Sequence, residues 1–141
     1  MPGVVPEYKF VKIFNNKLLT YRSLLNHNIL QPSIIEKKML INSKIYPVIV
    51  KPIYGRGSRG ILKINNQKEY QYYKKMKFFN ENKFIVQKFI KGIEYSVQMI
   101  ADRNGELLSI VPVKIIEKKG ITIKALICKN IDVIKFCKKF H

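Results

Sequence analysis

Three glycines spaced Gly55-x-Gly57-x-x-Gly60, with Lys51 ahead of them and Ser58 between them, are the residues of this chain best suited to phosphate chemistry. Glycine lets backbone N–H groups approach an anion closely, a hydroxyl adds a donor, and an ammonium supplies charge. The spacing alone is a weak signal, because glycines also mark ordinary tight turns.

The flanking residues narrow the chemistry. Tyr46-Pro47-Val48-Ile49-Val50-Lys51 is a short β-branched run that reads as a buried strand, and Gly60-Ile61-Leu62-Lys63-Ile64-Asn65 reads as a second, so the loop joins strand to strand. A dinucleotide-binding fold needs the third glycine to open a helix that receives the pyrophosphate. A Walker A loop needs Gly-Lys-Ser or Gly-Lys-Thr, which does not follow here. A protein kinase carries its phosphate-binding lysine on a later strand and adds His-Arg-Asp and Asp-Phe-Gly, and neither tripeptide occurs. Taken alone, residues 51–60 read as a β-hairpin with a flexible glycine turn.

The elements that must position these residues follow from periodicity and turn signals. Residues 1–14 read as a connecting segment. Asn16 is placed to cap a helix over Lys17–Leu25, with Leu18, Tyr21, Leu24 and Leu25 on one face. Gln31-Pro32-Ser33 starts an extended piece, and Gln67–Phe79 reads as a helix closed by Asn80-Glu81-Asn82. Strands are expected over Phe84–Ile90, Glu94–Ala101, Glu106–Val111 and Ile121–Cys128, with a helix over Ile131–Phe140. Asp102-Arg103-Asn104-Gly105 predicts a type I′ hairpin turn. The order gives an α+β fold with antiparallel sheets.

Composition bounds the partners. The chain has 141 residues and a formal charge of +18, which points to an anion such as nucleic acid, a membrane surface or phosphates. Abundant Lys, Ile and Asn fit an AT-rich genome, and the lysines are scattered, so general solvation outranks a dedicated polyanion surface. A nucleic-acid-binding module is the runner-up, motivated by Tyr70-Gln71-Tyr72-Tyr73-Lys74-Lys75. No apolar run approaches the roughly 18 residues of a membrane span, and Met1-Pro2-Gly3-Val4-Val5 lacks the features of a signal peptide. The expectation is a cytoplasmic protein without a membrane partner. Cys128 and Cys137 lack metal-site spacing, and His27 and His141 are the only histidines, so neither zinc nor His-centred catalysis is expected.

Taken jointly, five segments resemble the ATP-grasp enzymes in order and spacing, from about Pro6 onward. They are Asn16–Tyr21, Tyr46–Pro52, Gly55–Gly60, Val86–Tyr95 and Ala101–Ser109. The resemblance is strongest to carbamoyl-phosphate synthase large-subunit-like proteins. It implies a partial ATP-grasp fold: a linker-like segment at 1–15, the small ATP-binding subdomain with its preceding helix at 16–91, and the first strands of the second antiparallel sheet at 92–141. It also implies ATP held between two antiparallel sheets, with Lys17 and Lys51 on its phosphates. Gly55, Arg56, Gly57, Ser58 and Gly60 would form a mobile loop over the β- and γ-phosphates. Ile49 and Ile61 would flank the adenine, Gln87 would line the nucleotide, the backbone of Lys88 and Ile90 would read the adenine edge, and Glu94 would accept from the ribose hydroxyls. Without the family, Ile49 and Ile61 read as plain core and Glu94 as a partner for any of many lysines.

The pattern breaks toward the C-terminus. The family holds magnesium with late carboxylates, including a Glu-x-Asn, because a triphosphate's metal needs oxygen ligands. After Glu106 this chain has only Glu117 and Asp132, so its own Mg2+ ligands are not expected. Val113 and Ile115 stand where the family has arginines, and Lys88 replaces a frequent glutamate. The expectation is the ATP-binding front half of a ligase, incomplete for catalysis alone: an expressed fragment, a truncated gene product, one piece of a split enzyme, or a degenerate remnant. A second chain or a missing C-terminal half would complete its sheet, and an unfinished edge could also drive homo-oligomers.

Overall fold

The computed structural model describes residues 6–76 and 80–140. The helix expected over Gln67–Phe79 ends at Lys74, and residues 77–79, together with Met1–Val5 and His141, lie outside the described residues. The chain divides into two compact units, one ending at Ile90 and one beginning at Lys91.

In the first unit two helices lead into a three-stranded sheet. Helix α1 covers Tyr8–Asn15 and α2 covers Lys17–Asn26. The residues read from sequence as a connecting segment are therefore helical from Tyr8. Asn16 separates the helices in extended conformation and caps α2 through its side chain, accepting from the N–H groups of Leu18 and Leu19 at 3.0 Å each. The sheet has the order β2-β1-β3, with β1 at Val48–Pro52, β2 at Leu62–Ile64 and β3 at Phe84–Lys88. Both pairings are antiparallel.

Alternation along β1 separates core from site. Val48 and Val50 are completely buried and pack with Leu40, Ile64, Tyr70 and Val86. Tyr70 lies on α3, which covers Gln67–Lys74 and is capped by Asn66. Leu40 comes from a short 3-10 turn over Lys37–Ile41. Burying each such aliphatic side chain contributes about 1.5–3 kcal/mol. A strand points successive side chains to opposite faces, so Ile49 and Lys51 emerge on the face away from this core.

The second unit is a three-stranded antiparallel sheet of order β4-β5-β6, with β4 at Tyr95–Ala101, β5 at Leu107–Lys119 and β6 at Ile121–Ile127. Helix α4, Ile131–Cys137, follows, capped by Asn130. β5 runs past Val111, where the sequence suggested its end. Pro112 is accommodated because it lies just beyond the Val113↔Ile127 pair that closes the β5–β6 ladder, and its carbonyl accepts from Cys128 N–H at 3.1 Å.

The β4–β5 turn differs from the type I′ turn expected. Of its residues only Gly105 has a positive φ, +87°. Asp102 and Glu106 close a three-residue loop through Asp102 N–H to the Glu106 carbonyl at 2.8 Å. The Asp102 carboxylate accepts from the N–H groups of Asn104 and Glu106, at 2.9 and 2.7 Å. That side chain stabilises the longer turn, with glycine supplying the single left-handed residue.

Candidate functional site

The glycine loop spans the gap between β1 and β2, and its backbone is shaped for what glycine alone does cheaply. Gly55, Gly57 and Gly60 have φ of +135°, +65° and +72°. Ser58 shares the left-handed region at +57°, although it carries a side chain. Ile61 N–H donates to the Ser58 carbonyl at 3.3 Å, closing the loop's far side. A Cβ on Gly60 would meet Pro52 Cγ at 3.5 Å, an ordinary contact, so conformation rather than space requires glycine there.

Two lysines 34 positions apart (17 and 51) arrive at this loop. Lys17, the first residue of α2, donates its ammonium to the Gly55 carbonyl at 2.7 Å. Its backbone N–H donates to the Ile53 carbonyl at 2.9 Å. Lys51, on β1, is half-buried, and its pKa is lowered, first by burial and then by the neighbouring Lys17 ammonium. Two cations next to each other beside a glycine loop form a place where an anion would relieve both repulsion and desolvation.

The remaining sequence-predicted residues distribute unevenly. Ile49 lies opposite Lys63 on β2 and Gln87 on β3, and the Lys63 ammonium stands 4.3 Å from the centre of the Phe89 ring. Ile61 is partly exposed and Arg56 exposed. Gln87 is buried and commits its amide to the Pro32 carbonyl at 2.8 Å, tying the segment after α2 to β3. Lys88 N–H donates to the Ser33 carbonyl at 3.1 Å, and Ile90 is exposed at the end of the unit. Glu94 belongs to the second unit, where its carboxylate pairs with Lys118 and its carbonyl accepts from Ile115 N–H at 2.9 Å.

Two participants were not legible as such in the sequence. Asn16 was read only as a helix cap, yet its amide also donates to the Tyr54 hydroxyl at 2.9 Å. Tyr54 carried no signal beyond its place beside Gly55. The tyrosine cluster on α3 is also not a base-stacking platform: Tyr70 belongs to the core and Tyr73 packs against it, leaving Tyr72 exposed.

Comparisons with known proteins identify the family. The family model described as an ATP-grasp domain matches residues 14–137, and the chain belongs to that family. It is 31% identical over 106 residues to a D-alanine–D-alanine ligase of Petrotoga mobilis, covering 74% of this chain and 35% of the relative. It is 36% identical over 66 residues to a D-alanine–D-alanine ligase of Corynebacterium jeikeium, covering 47% of this chain and 18% of the relative. The chain thus spans about a third or less of the length of the curated relatives it matches. Among solved structures, it resembles N5-carboxyaminoimidazole synthase from Aspergillus clavatus, determined with ADP and 5-aminoimidazole ribonucleotide. The TM-score is 0.74 at 14% identity, over 95% of this chain and 38% of the other. D-alanine–D-alanine ligase from Bacillus anthracis superposes with a TM-score of 0.64 at 19% identity, over 91% and 46%. At these identities the structural likeness establishes the fold.

Proposed function

We propose that this chain is the ATP-binding portion of an ATP-grasp ligase, with the first unit as the small subdomain and the second as the start of the next. The observation that carries the reading is the convergence of Lys17 and Lys51 on a strand-to-strand glycine loop whose backbone is already left-handed at four positions, 55, 57, 58 and 60. In this reading the two ammonium groups and the N–H groups of the loop hold the β- and γ-phosphates, with the Ser58 hydroxyl as a further donor. Ile49 and Ile61 offer apolar surface to the adenine, and the Lys88 and Ile90 backbone reads its edge.

Magnesium needs a separate test of fit. Among the described residues no group of three or more His, Cys, Asp or Glu side chains lies close enough to hold a metal. Magnesium on a triphosphate takes one or two protein carboxylates, with phosphate oxygens and water completing its shell.

For the longer protein we infer amide-forming chemistry. A carboxylate oxygen attacks the γ-phosphorus of ATP, giving an acyl phosphate and ADP; an amine then attacks the acyl carbon and expels phosphate. The matches to D-alanine–D-alanine ligases favour a small amino acid as the acid over the carboxyphosphate chemistry of a carbamoyl-phosphate synthase. Phosphate release dependent on D-alanine rather than on bicarbonate would separate the two.

The first unit is tested by calorimetric titration of the chain with ATP and magnesium, repeated with Lys51→Ala. Saturable binding that disappears in the variant supports the reading. Heat that is unchanged in the variant, or absent in both proteins, rejects it.

A further inference from the structure

Residues 16 and 17 grip residues 53 to 55 at three points. The Asn16 amide donates to the Tyr54 hydroxyl at 2.9 Å, Lys17 N–H donates to the Ile53 carbonyl at 2.9 Å, and the Lys17 ammonium donates to the Gly55 carbonyl at 2.7 Å. Asn16 is simultaneously fastened to α2, since its side-chain oxygen caps Leu18 and Leu19 and its carbonyl accepts from Thr20 N–H at 2.9 Å. The first N–H groups of a helix have no intrahelical partner. Here those of Leu18 and Leu19 go to the Asn16 side chain, and that of Lys17 goes across to the root of the glycine loop.

This geometry has a consequence for the lysine. A free lysine side chain has many rotamers, and fixing it on an incoming phosphate costs much of that freedom. Lys17 is instead held at both its backbone and its ammonium against the residues that lead into Gly55. Asn16 and Tyr54 brace that arrangement through the hydrogen bond between them. Asn16 is suited to the task because its side-chain oxygen accepts for the cap while its amide nitrogen, a separate atom, donates to the Tyr54 hydroxyl; the single oxygen of a serine cannot occupy both places.

We propose that Asn16 and Tyr54 form a clip that positions Lys17 and the root of the glycine loop for phosphate binding. The role rests on the nucleotide reading above, while the clip is also detectable without nucleotide. Two variants isolate it. Tyr54→Phe removes one hydroxyl from a side chain that is 67% exposed, so the fold is retained. Asn16→Ser keeps a capping oxygen and removes the amide donor.

The experiment is amide hydrogen exchange by NMR on the nucleotide-free chain, followed by titration with ATP and with AMP. The expected result is several-fold faster exchange at Lys17 N–H and shifted Gly55 and Gly57 amide signals in each variant, with Val50 unchanged. ATP affinity should fall about two- to tenfold, the range of one ordinary hydrogen bond, while AMP affinity stays the same. The double variant should be no worse than either single variant, because both remove the same interaction. Unchanged exchange at Lys17 overturns the clip. Changed exchange with unchanged ATP affinity overturns its positioning role. If the unmodified chain ignores ATP, the nucleotide reading falls and the positioning role falls with it, whereas the exchange data still decide the clip.

Discussion

The Lys17 ammonium donates to the Gly55 carbonyl at 2.7 Å, joining the first residue of a helix to the first glycine of a loop 38 positions away. No local pattern requires this contact; it exists because Asn16 ends one helix in extended conformation and begins the next beside β1. Its counterpart Lys51 reaches the same region from the strand, half-buried and close enough to Lys17 for the two charges to repel.

Replacing Lys51 should separate function from stability. If the nucleotide reading holds, Lys51→Met should lower ATP affinity about ten- to a hundredfold, the range of one charge-assisted contact. It also removes a partly desolvated cation, so the melting temperature at neutral pH should stay level or rise. Calorimetry and thermal unfolding on the same samples check both halves; a large loss of stability would mean that Lys51 is structural.

The lowered pKa of Lys51 fixes the sign of two pH effects. In the folded chain the ammonium is disfavoured relative to the unfolded value of about 10.4. Its cost to stability is therefore present below the folded pKa and disappears as pH rises from there toward the unfolded value. A phosphate anion acts oppositely, restoring the ammonium, so binding in the alkaline range should take up a proton and weaken as Lys51 deprotonates. ATP titrations in two buffers of different ionisation heat measure the uptake, and Lys51→Met should abolish it.

Ser58→Gly should stabilise and weaken at once. Relief of a side chain at φ +57° outweighs the entropy of the added glycine, for a net gain of about 0.5–1 kcal/mol. Loss of the hydroxyl donor should lower ATP affinity about two- to tenfold. Urea unfolding and titration should move in opposite directions; unchanged or tighter ATP binding would mean that the hydroxyl has no ligand.

For Gln87 the structure favours a scaffold effect. Gln87→Met leaves the Pro32 carbonyl without its 2.8 Å donor, costing about 1–3 kcal/mol. ATP affinity of the folded variant should be unchanged. A selective loss of affinity at constant stability would restore Gln87 to the nucleotide site.

What the sequence disclosed follows from the range of the interactions involved. The Asn16 cap, the strand on each side of the glycine loop and the helix at Gln67 depend on neighbours within a few residues, and all are where the pattern places them. Tyr70 looked like part of an exposed aromatic run, but helical spacing turned it into the core against Leu40. The extent of β5 was hidden by Pro112, because a local rule ends strands at proline while the pairing that tolerates it is long-range. Arg103-Asn104-Gly105 suggested the wrong turn because the deciding group, the Asp102 carboxylate, acts through hydrogen bonds rather than through dihedral preference. Lys17 and Lys51 were placed by family resemblance; the bond from Lys17 to the Gly55 carbonyl is set by the fold.

All seven residues of β6 are exposed, and among the described residues the strand has a ladder on one side only. An unpaired edge of this kind can template pairing with another strand, and copies that each carry +18 repel one another. That repulsion reaches about 30 Å at 0.01 M salt but about 3 Å at 1 M, less than the roughly 4.8 Å between paired strands. Added salt should therefore favour strand-on-strand association of such edges rather than prevent it, and light scattering that rises between about 0.01 M and about 1 M salt is the expected outcome.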